Sequence, residues 1–271
     1  MRIDLLGIYL QQFISTLFAH NEAIKYIRKH RLWEGLLQYG WLSKFLMAIG
    51  ILLGFKFIKT FMDSITSMGL TETANPLVEM GNMIGHVAVD SYDFLFHGSI
   101  KYLMLILLEV VIFHICRRCI ELLTKTKGDL SLKTFIAAQI RMIKVVFRTY
   151  IIEMILTLGI KIFFGIFGTF DFFEPIVIFG LQCYFLGFLV MDNYLEQYGL
   201  SIKESLRYAN QFIGVAVGAG LVLNLLLLIP FFGAIVAPII AGVTVCLVMH
   251  SSSDLHLTPS KDAKVEPIPN S

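Results

Sequence analysis

Charged residues are scarce in this sequence. Asp, Glu, Lys and Arg account for 15% of its 271 residues, whereas apolar side chains account for 56%. Because water-soluble domains carry about 25% charged residues, this shortage excludes an ordinary soluble domain. Apolar runs of about 20 residues form bilayer-spanning helices. The composition therefore predicts an all-α polytopic membrane protein whose main partner is the lipid bilayer.

The sequence also lacks the motifs of most chemical functions. Cys116 and Cys119 form a single Cys-x-x-Cys pair beside His114, whereas a closed zinc site needs four ligands. We find no nucleophile–base pair, no phosphate-binding loop and no basic-aromatic patch, and the net charge is only +2. We therefore predict no enzymatic activity, no metal, no cofactor and no nucleic-acid partner, and we expect the cysteines to be free thiols.

The longest stretch without charge covers residues 209–249. It is about twice as long as one spanning helix, and Pro230, Gly233 and Pro238 interrupt it. This pattern predicts a hairpin with its apex at these residues and a return arm that starts near Pro238. The apolar run from there to His250 is too short to span a bilayer, which favours a hairpin that penetrates the membrane only partly.

Another hairpin is predicted over residues 150–191. Because it comes first along the chain, we call it the first hairpin, and we call the hairpin over residues 209–249 the second hairpin. The apex of the first hairpin contains Gly168 and Pro175, with Asp171 and Glu174 between them. Carboxylates are expensive in hydrocarbon, so these two side chains must reach water or protein. This hairpin is therefore also predicted to penetrate the membrane only partly.

Two further apolar segments, residues 41–61 and 99–116, are predicted to span the membrane fully, and the second ends at Arg117-Arg118. Together with the hairpins they form a single membrane domain over residues 1–250. The segments outside these helices are predicted to be a surface helix, a polar connector and a disordered tail, over residues 3–18, 20–34 and 251–271 respectively.

Residues 131–149 have the pattern of an amphipathic helix. We place its basic side chains on one narrow arc: Lys133, Arg141, Lys144 and Arg148. We place its apolar side chains on the opposite side: Leu132, Phe135, Ile136, Ile140, Ile143 and Phe147. This pattern predicts a basic helix that lies on an anionic leaflet.

Two short motifs predict local structure near the hairpin over residues 209–249. Ser201 and Glu204 have the spacing of a capping box and predict a helix start. Gly214 and Gly218 have the spacing of a close-packing surface for another helix.

The distribution of Lys and Arg predicts the topology. Residues 20–34 and 117–148 are rich in them, whereas residues 62–98 and both hairpin apices have none. By the positive-inside rule, the basic segments and both termini are predicted to be cytoplasmic.

Glu109 lies in the middle of the apolar run of residues 99–116. A carboxylate at that depth must be protonated or paired inside the bundle, and Lys56 or Lys161 could pair with it. A structural ion pair and a role in proton coupling are both open interpretations.

Several segments resemble the CysZ-like family, which includes the etoposide-induced proteins of eukaryotes. The similar residues are Asp192-Asn193-Tyr194-Leu195, Gly199-Leu200-Ser201, residues 228–238, Ala241-Gly242-Val243-Thr244, Phe167-Gly168 and Glu174-Pro175. The resemblance covers about residues 131–249. It implies two full spanning helices, two partly penetrating hairpins and a homo-oligomer. It also implies a bacterial inner-membrane protein that passes sulfate, although eukaryotic relatives lie in the endoplasmic reticulum.

One segment departs from this family. Its bacterial members carry a Pro-Gly-(Leu/Ile)-Arg motif before the first spanning helix, and this motif is associated with the anion. Here the sequence of residues 28–34 is Arg-Lys-His-Arg-Leu-Trp-Glu. Arg28, Lys29 and Arg31 are the candidates for anion contact, and their alternative role is to set the topology.

Two functions are therefore predicted. The first is passage of sulfate or a similar small anion across the membrane. The alternative is a structural or organising protein, whose hairpins and basic amphipathic helices shape or scaffold one leaflet of the bilayer.

Overall fold

The computed structural model describes residues 2–34, 100–125, 132–167, 172–227 and 232–257. The α-helices in these residues are α1 (Arg2–His30), α2 (Ile100–Thr124), α3 (Leu132–Phe167), α4 (Glu174–Gln197), α5 (Ile202–Ala209), α6 (Ile213–Leu227) and α7 (Phe232–Ser252). A 3-10 helix over Asp254–Leu257 follows. The predicted spanning helix over residues 41–61 lies outside the described residues, as do Lys56, Gly168, Pro230 and the tail after residue 257.

α1 is one continuous helix of 29 residues. The sequence predicted a surface helix that ends near residue 18 and a polar connector over residues 20–34. This prediction is wrong for residues 20–30, which continue the helix. The reason is a stripe of small side chains, Thr16, Ala19 and Ala23, which are buried where α1 packs on α6 and α7. This stripe continues the helix through the polar segment.

α3 joins two predicted elements into one helix. The amphipathic segment and the first hairpin arm form 36 continuous residues, about 54 Å at 1.5 Å per residue. Both α3 and α4 contain segments long and apolar enough to cross a membrane, over residues 136–166 and 174–197. The all-helical membrane architecture with two candidate spans is thus confirmed. These two spans are the arms of the first predicted hairpin, so partial penetration of that hairpin stays a prediction, as does the full span predicted over residues 99–116.

The second hairpin starts with a sharp bend. α5 and α6 meet at 95°, and the predicted capping box is present, with the Ser201 backbone N–H donating to Oε2 of Glu204 at 2.8 Å. α6 has only 15 residues, about 22 Å. The bilayer core is about 30 Å thick, so α6 by itself is shorter than the core, and the bent pair of α5 and α6 is either a broken span or a re-entrant loop.

The return arm of this hairpin begins earlier than predicted. α7 starts at Phe232 and has 21 residues, with Pro238 inside it. The prediction that the arm starts near Pro238 is therefore wrong. Its apolar part, Val236–Ser252, is shorter than the two candidate spans, so the prediction that this arm is too short to span is not overturned. A proline interrupts one backbone hydrogen bond, but apolar helices packed against neighbours accommodate it. Pro238 is buried between such neighbours.

The two faces predicted for residues 131–149 are also wrong. The buried stripe of this part of α3 is formed by Ala138, Met142, Val145 and Val146. The described side chains that were assigned to opposite faces instead share the outer side of the helix. The exposed ones are Lys133, Lys144, Arg148, Ile136, Ile140, Ile143 and Phe147. Arg141 is not part of this outer side, because its side chain points inward and donates to Asp192.

Close helix contacts in the core depend on glycine. A Cβ on Gly187 of α4 would lie 1.8 Å from the backbone oxygen of Ala216, and one on Gly220 of α6 would lie 1.8 Å from that of Cys183. The predicted Gly214 and Gly218 surface is confirmed as well. A Cβ on Gly214 would lie 2.0 Å from the Tyr9 backbone oxygen on α1.

Candidate functional site

The turn that follows α1, residues 31–34, reaches α2. Nε2 of His114 donates to the backbone oxygen of Glu34 at 3.0 Å, and Leu32 is fully buried. Residues 114, 117, 118 and 121 fall within a 100° arc of α2 because helical positions three and four apart share a face. The turn after α1 and this arc of α2 meet at that hydrogen bond. We call these two segments, together with the basic last turn of α1, the α1–α2 site.

Arg117 is the buried cation of the α1–α2 site. Its Nε donates to Oε1 of Glu121 at 3.1 Å, and its side chain is 6% exposed. Its Nη2 is buried and has no hydrogen-bond partner among the residues that the structure describes. Buried polar groups are nearly always hydrogen-bonded. Arg117 therefore has a donor available for an acceptor that is not a described residue.

Arg118 differs from Arg117 in burial. Its side chain is 49% exposed, and its Nη1 donates to Oε2 of Glu121 at 3.4 Å. These i,i+3 and i,i+4 pairs form because α2 continues as a helix to Thr124, beyond the predicted end of the span at Arg117-Arg118. Glu121 therefore binds both arginines, and the two differ mainly in exposure.

The predicted anion candidates lie on the α1 side of this site. Arg28 and Lys29 are exposed in the last turn of α1. Arg31 adopts a left-handed φ of 47°, and its Nη1 lies 3.3 Å from Oε1 of Glu34. The α1–α2 site has a net charge of +3, because it contains five basic side chains and the two carboxylates of Glu34 and Glu121. The basic side chains are Arg28, Lys29, Arg31, Arg117 and Arg118.

Tyr26 adds no negative charge to this site. Burial and, to a smaller extent, the neighbouring Cys119 and Cys246 thiols raise the pKa of Tyr26 to about 12. The phenol therefore stays neutral at physiological pH. Its ring packs on His30 with the ring centroids 4.4 Å apart, which ties the last turn of α1 to the core.

The α1–α2 site has the chemistry of an oxyanion site. A guanidinium presents N–H donors in a planar fork that suits carboxylate, phosphate and similar oxyanions. Sequence reasoning selected Arg28, Lys29 and Arg31 but missed Arg117. The available signal was the Arg117-Arg118 pair, which we interpreted as the end of a span because burial of a single arginine is decided by packing.

The other predicted intramembrane charges are not brought together in the described part of the chain. Glu109 lies on α2, but its side chain and Lys56 are outside what the structure describes. Lys161 is exposed on α3. Pairing of Glu109 with either lysine therefore stays a prediction.

The predicted hairpin-apex residues that the structure describes lie at or near helix starts. Pro175 occupies the first turn of α4, where its missing N–H would be unpaired in any case. Gly233 is the second residue of α7, and a Cβ there would lie 1.8 Å from the Leu226 backbone oxygen. A glycine is therefore required for the tight return into α7.

A second polar cluster lies at the junction of α3, α4 and α5. Arg141 donates to both carboxylate oxygens of Asp192 (3.1 and 2.8 Å) and to Oγ of Ser205 at 2.9 Å. Its Nη1 bonds to the Leu200 backbone oxygen, and its Nε lies 3.7 Å from Oε2 of Glu196. All three guanidinium nitrogens are thus engaged, so this cluster holds the two hairpins together.

The four cysteines are buried thiols, as predicted. Cys246 lies beside Cys116, with its Sγ 3.8 Å from the Cys116 backbone oxygen. Within the described residues, no group of three His, Cys, Asp or Glu side chains is placed to hold a metal ion.

The fold and the composition together define an integral membrane protein: an all-helical bundle with two helices long and apolar enough to cross a bilayer. A sequence profile of the family described as "Sulfate transporter CysZ/Etoposide-induced protein 2.4" matches residues 19–238. Since this match covers most of the chain, the protein belongs to that family. No curated protein and no solved structure shows significant similarity to the chain.

Proposed function

We propose that this protein passes sulfate or a similarly small anion across a membrane and has no enzymatic activity. The observation that carries the proposal is the buried Arg117, with one guanidinium nitrogen unpartnered among the described residues. It lies one helical turn from His114, which bonds to the segment that follows the basic end of α1. An anion that leaves water needs donors or positive charge to replace its hydration. The family description, which names a sulfate transporter, supports the same function.

In this proposal the residues have distinct roles. Arg28 and Lys29 are exposed and raise the local concentration of anions, because fixed positive charge attracts them over about a Debye length. Arg31 is held by Glu34 and contributes less to this attraction. Arg117 binds the anion directly, since only its guanidinium is both buried and incompletely hydrogen-bonded within the described part of this site.

The test is uptake of labelled sulfate into liposomes that contain the purified protein. We expect Arg117→Gln to lower the uptake rate by about tenfold or more, because a hydrogen bond to a charged group contributes about 1.5–3 kcal/mol. The matched control is Arg118→Gln, which removes the same charge one residue away from an exposed position. We expect that variant to stay within about twofold of wild type.

A second variant keeps the proposal testable if Arg117→Gln does not fold. Arg28→Glu combined with Arg31→Glu changes only exposed side chains and should also lower uptake. No uptake above empty vesicles by correctly inserted wild-type protein would contradict the proposed function. Equal uptake by wild type and Arg117→Gln would instead remove Arg117 from the anion path.

We also infer the setting of this function. The protein acts as a homo-oligomer in a bacterial inner membrane with both termini in the cytoplasm. The basic segments 20–34 and 117–148 support this orientation, because short cytoplasmic segments are rich in Lys and Arg.

One observation favours the alternative, a protein that shapes or organises the bilayer. α6 is about 22 Å long and meets α5 at 95°, so the second hairpin has the form of a partly inserted wedge on that side. A wedge occupies more area in one leaflet than in the other. If the liposomes bend or tubulate with protein but take up no sulfate, this alternative replaces the first proposal.

A further inference from the structure

α3 is longer than the membrane requires. Its 36 residues extend about 54 Å, whereas the hydrocarbon core is about 30 Å thick. The part from Thr149 to Phe167 is about 28 Å long and matches the core. The residues immediately before Thr149 therefore lie at the level of the lipid headgroups when this part crosses the membrane.

Lys144 and Arg148 occupy that level. They are four residues apart, so they are neighbours on one side of the helix, roughly 6 Å apart, and both are exposed. Phe147 is 66% exposed and Ile143 is 51% exposed beside them. Residues 132–148 contain no Asp or Glu, so no acidic side chain of this segment competes for the two cations.

We propose that Lys144 and Arg148 bind the phosphate of an anionic phospholipid headgroup, with Phe147, about 3 Å before the hydrocarbon, against the start of its acyl chains. A phosphate accepts hydrogen bonds from the planar guanidinium of Arg148 and from the ammonium of Lys144. The apolar neighbours fit hydrocarbon and do not fit water or a polar protein surface. The occupant is therefore a lipid.

The other cations of this segment do not take part. Arg141 is fully engaged by Asp192, Leu200 and Ser205. Lys133 is exposed, but it lies eleven residues before Lys144, roughly 16 Å farther from the hydrocarbon. At that distance it is beyond the headgroup phosphates, and salt screens its charge. Lys133 thus provides a matched control on the same helix.

The experiment counts lipids bound to the purified full-length protein by native mass spectrometry during titration with phosphatidylglycerol or phosphatidylcholine. We expect wild type to prefer phosphatidylglycerol. Each basic residue near a membrane surface contributes about fivefold in affinity. Lys144→Gln with Arg148→Gln should therefore weaken phosphatidylglycerol binding by about 30-fold, whereas Lys133→Gln should change it by less than about twofold.

Two results would overturn the proposal. One is equal binding of the two lipids by wild type. The other is a loss of phosphatidylglycerol binding in Lys133→Gln as large as in the double variant, which would mean that the total positive charge of the helix attracts the lipid and no particular pair of residues binds it. Circular dichroism and size-exclusion chromatography confirm the fold of each variant. The inference is independent of anion passage, because Arg117→Gln should keep the preference for phosphatidylglycerol.

Discussion

Arg117 and Arg141 are both guanidinium groups inside the bundle, but their hydrogen bonds differ. Arg141 uses every nitrogen, on Asp192, Leu200 and Ser205. Arg117 has an Nη2 without a partner among the described residues. A completed network stabilises one arrangement, whereas an incomplete one can bind a ligand. This difference is the reason to give Arg141 a structural role and Arg117 a functional one.

At the residue scale, the first prediction concerns Arg141. Arg141→Met leaves the carboxylate of Asp192 buried, with a side chain only 3% exposed. Loss of one partner of a buried ion pair destabilises by about 3–5 kcal/mol. We expect the free energy of unfolding, measured by sodium dodecyl sulfate titration in mixed micelles, to fall by about this amount.

Two further variants make this prediction specific. Lys133→Met, an exposed position on the same helix, should change stability by less than about 0.5 kcal/mol. Arg141→Met combined with Asp192→Leu should recover much of the loss, because the Asp192 carboxylate is then no longer left buried and unpaired. If the double variant is as unstable as Arg141→Met, the carboxylate is not the cause.

At the element scale, the helices of the core approach so closely that their backbones touch. Gly187 on α4 and Gly220 on α6 each face the backbone of the other helix. In a bilayer, close packing of this kind is a major source of helix association, since lipid tails are as apolar as the side chains. The Gly214 and Gly218 motif was visible in the sequence because both glycines lie on one helix. Gly187 and Gly220 lie on two different helices, so no spacing along the sequence shows that they meet.

The helix contact predicts a strong effect of one methyl group. Gly187→Ala or Gly220→Ala should destabilise by at least about 1–3 kcal/mol, because the added Cβ would overlap a backbone oxygen and push the helices apart. The control is Gly180→Ala on α4, where a Cβ would meet no described atom within 4 Å. Alanine favours a helix by up to about 1 kcal/mol over glycine, so that variant should be as stable as wild type or more stable.

The thermal midpoint in one detergent is sufficient to rank these three variants. A Gly187→Ala protein with the midpoint of wild type would mean that α4 and α6 are not in backbone contact. Glycine at these positions would then not be needed for the packing of α4 on α6.

At the scale of the whole molecule, the C-terminal end of the described chain packs on the end of α4. The 3-10 helix over Asp254–Leu257 follows α7 directly, and Oγ of Ser253 lies 3.4 Å from the Tyr194 hydroxyl near the end of α4. Residues 251–257 are thus helical or bonded to the core, although the sequence predicted a disordered tail from residue 251. The end of α4, the end of α7 and the 3-10 helix therefore share one face.

The proposed topology, which rests on the distribution of Lys and Arg, predicts the result of reporter fusions. With both termini cytoplasmic, green fluorescent protein fused after Ser271 should fluoresce in bacterial cells, and alkaline phosphatase fused there should be inactive. Fusions before Met1 should behave in the same way. An active phosphatase at either end would contradict the topology from the positive-inside rule.

The sequence by itself determined the all-α membrane fold, the family, the helix start at Ser201 and the close-packing glycines of α6. These features depend on local composition and on spacing along one helix, which a sequence displays directly. Only the tertiary structure decided that Pro238 lies inside α7, that Arg141 turns inward to Asp192 and that Arg117 is buried with an unpartnered nitrogen among the described residues. Each depends on neighbours distant in sequence, and it is packing against them that determines burial and hydrogen bonding.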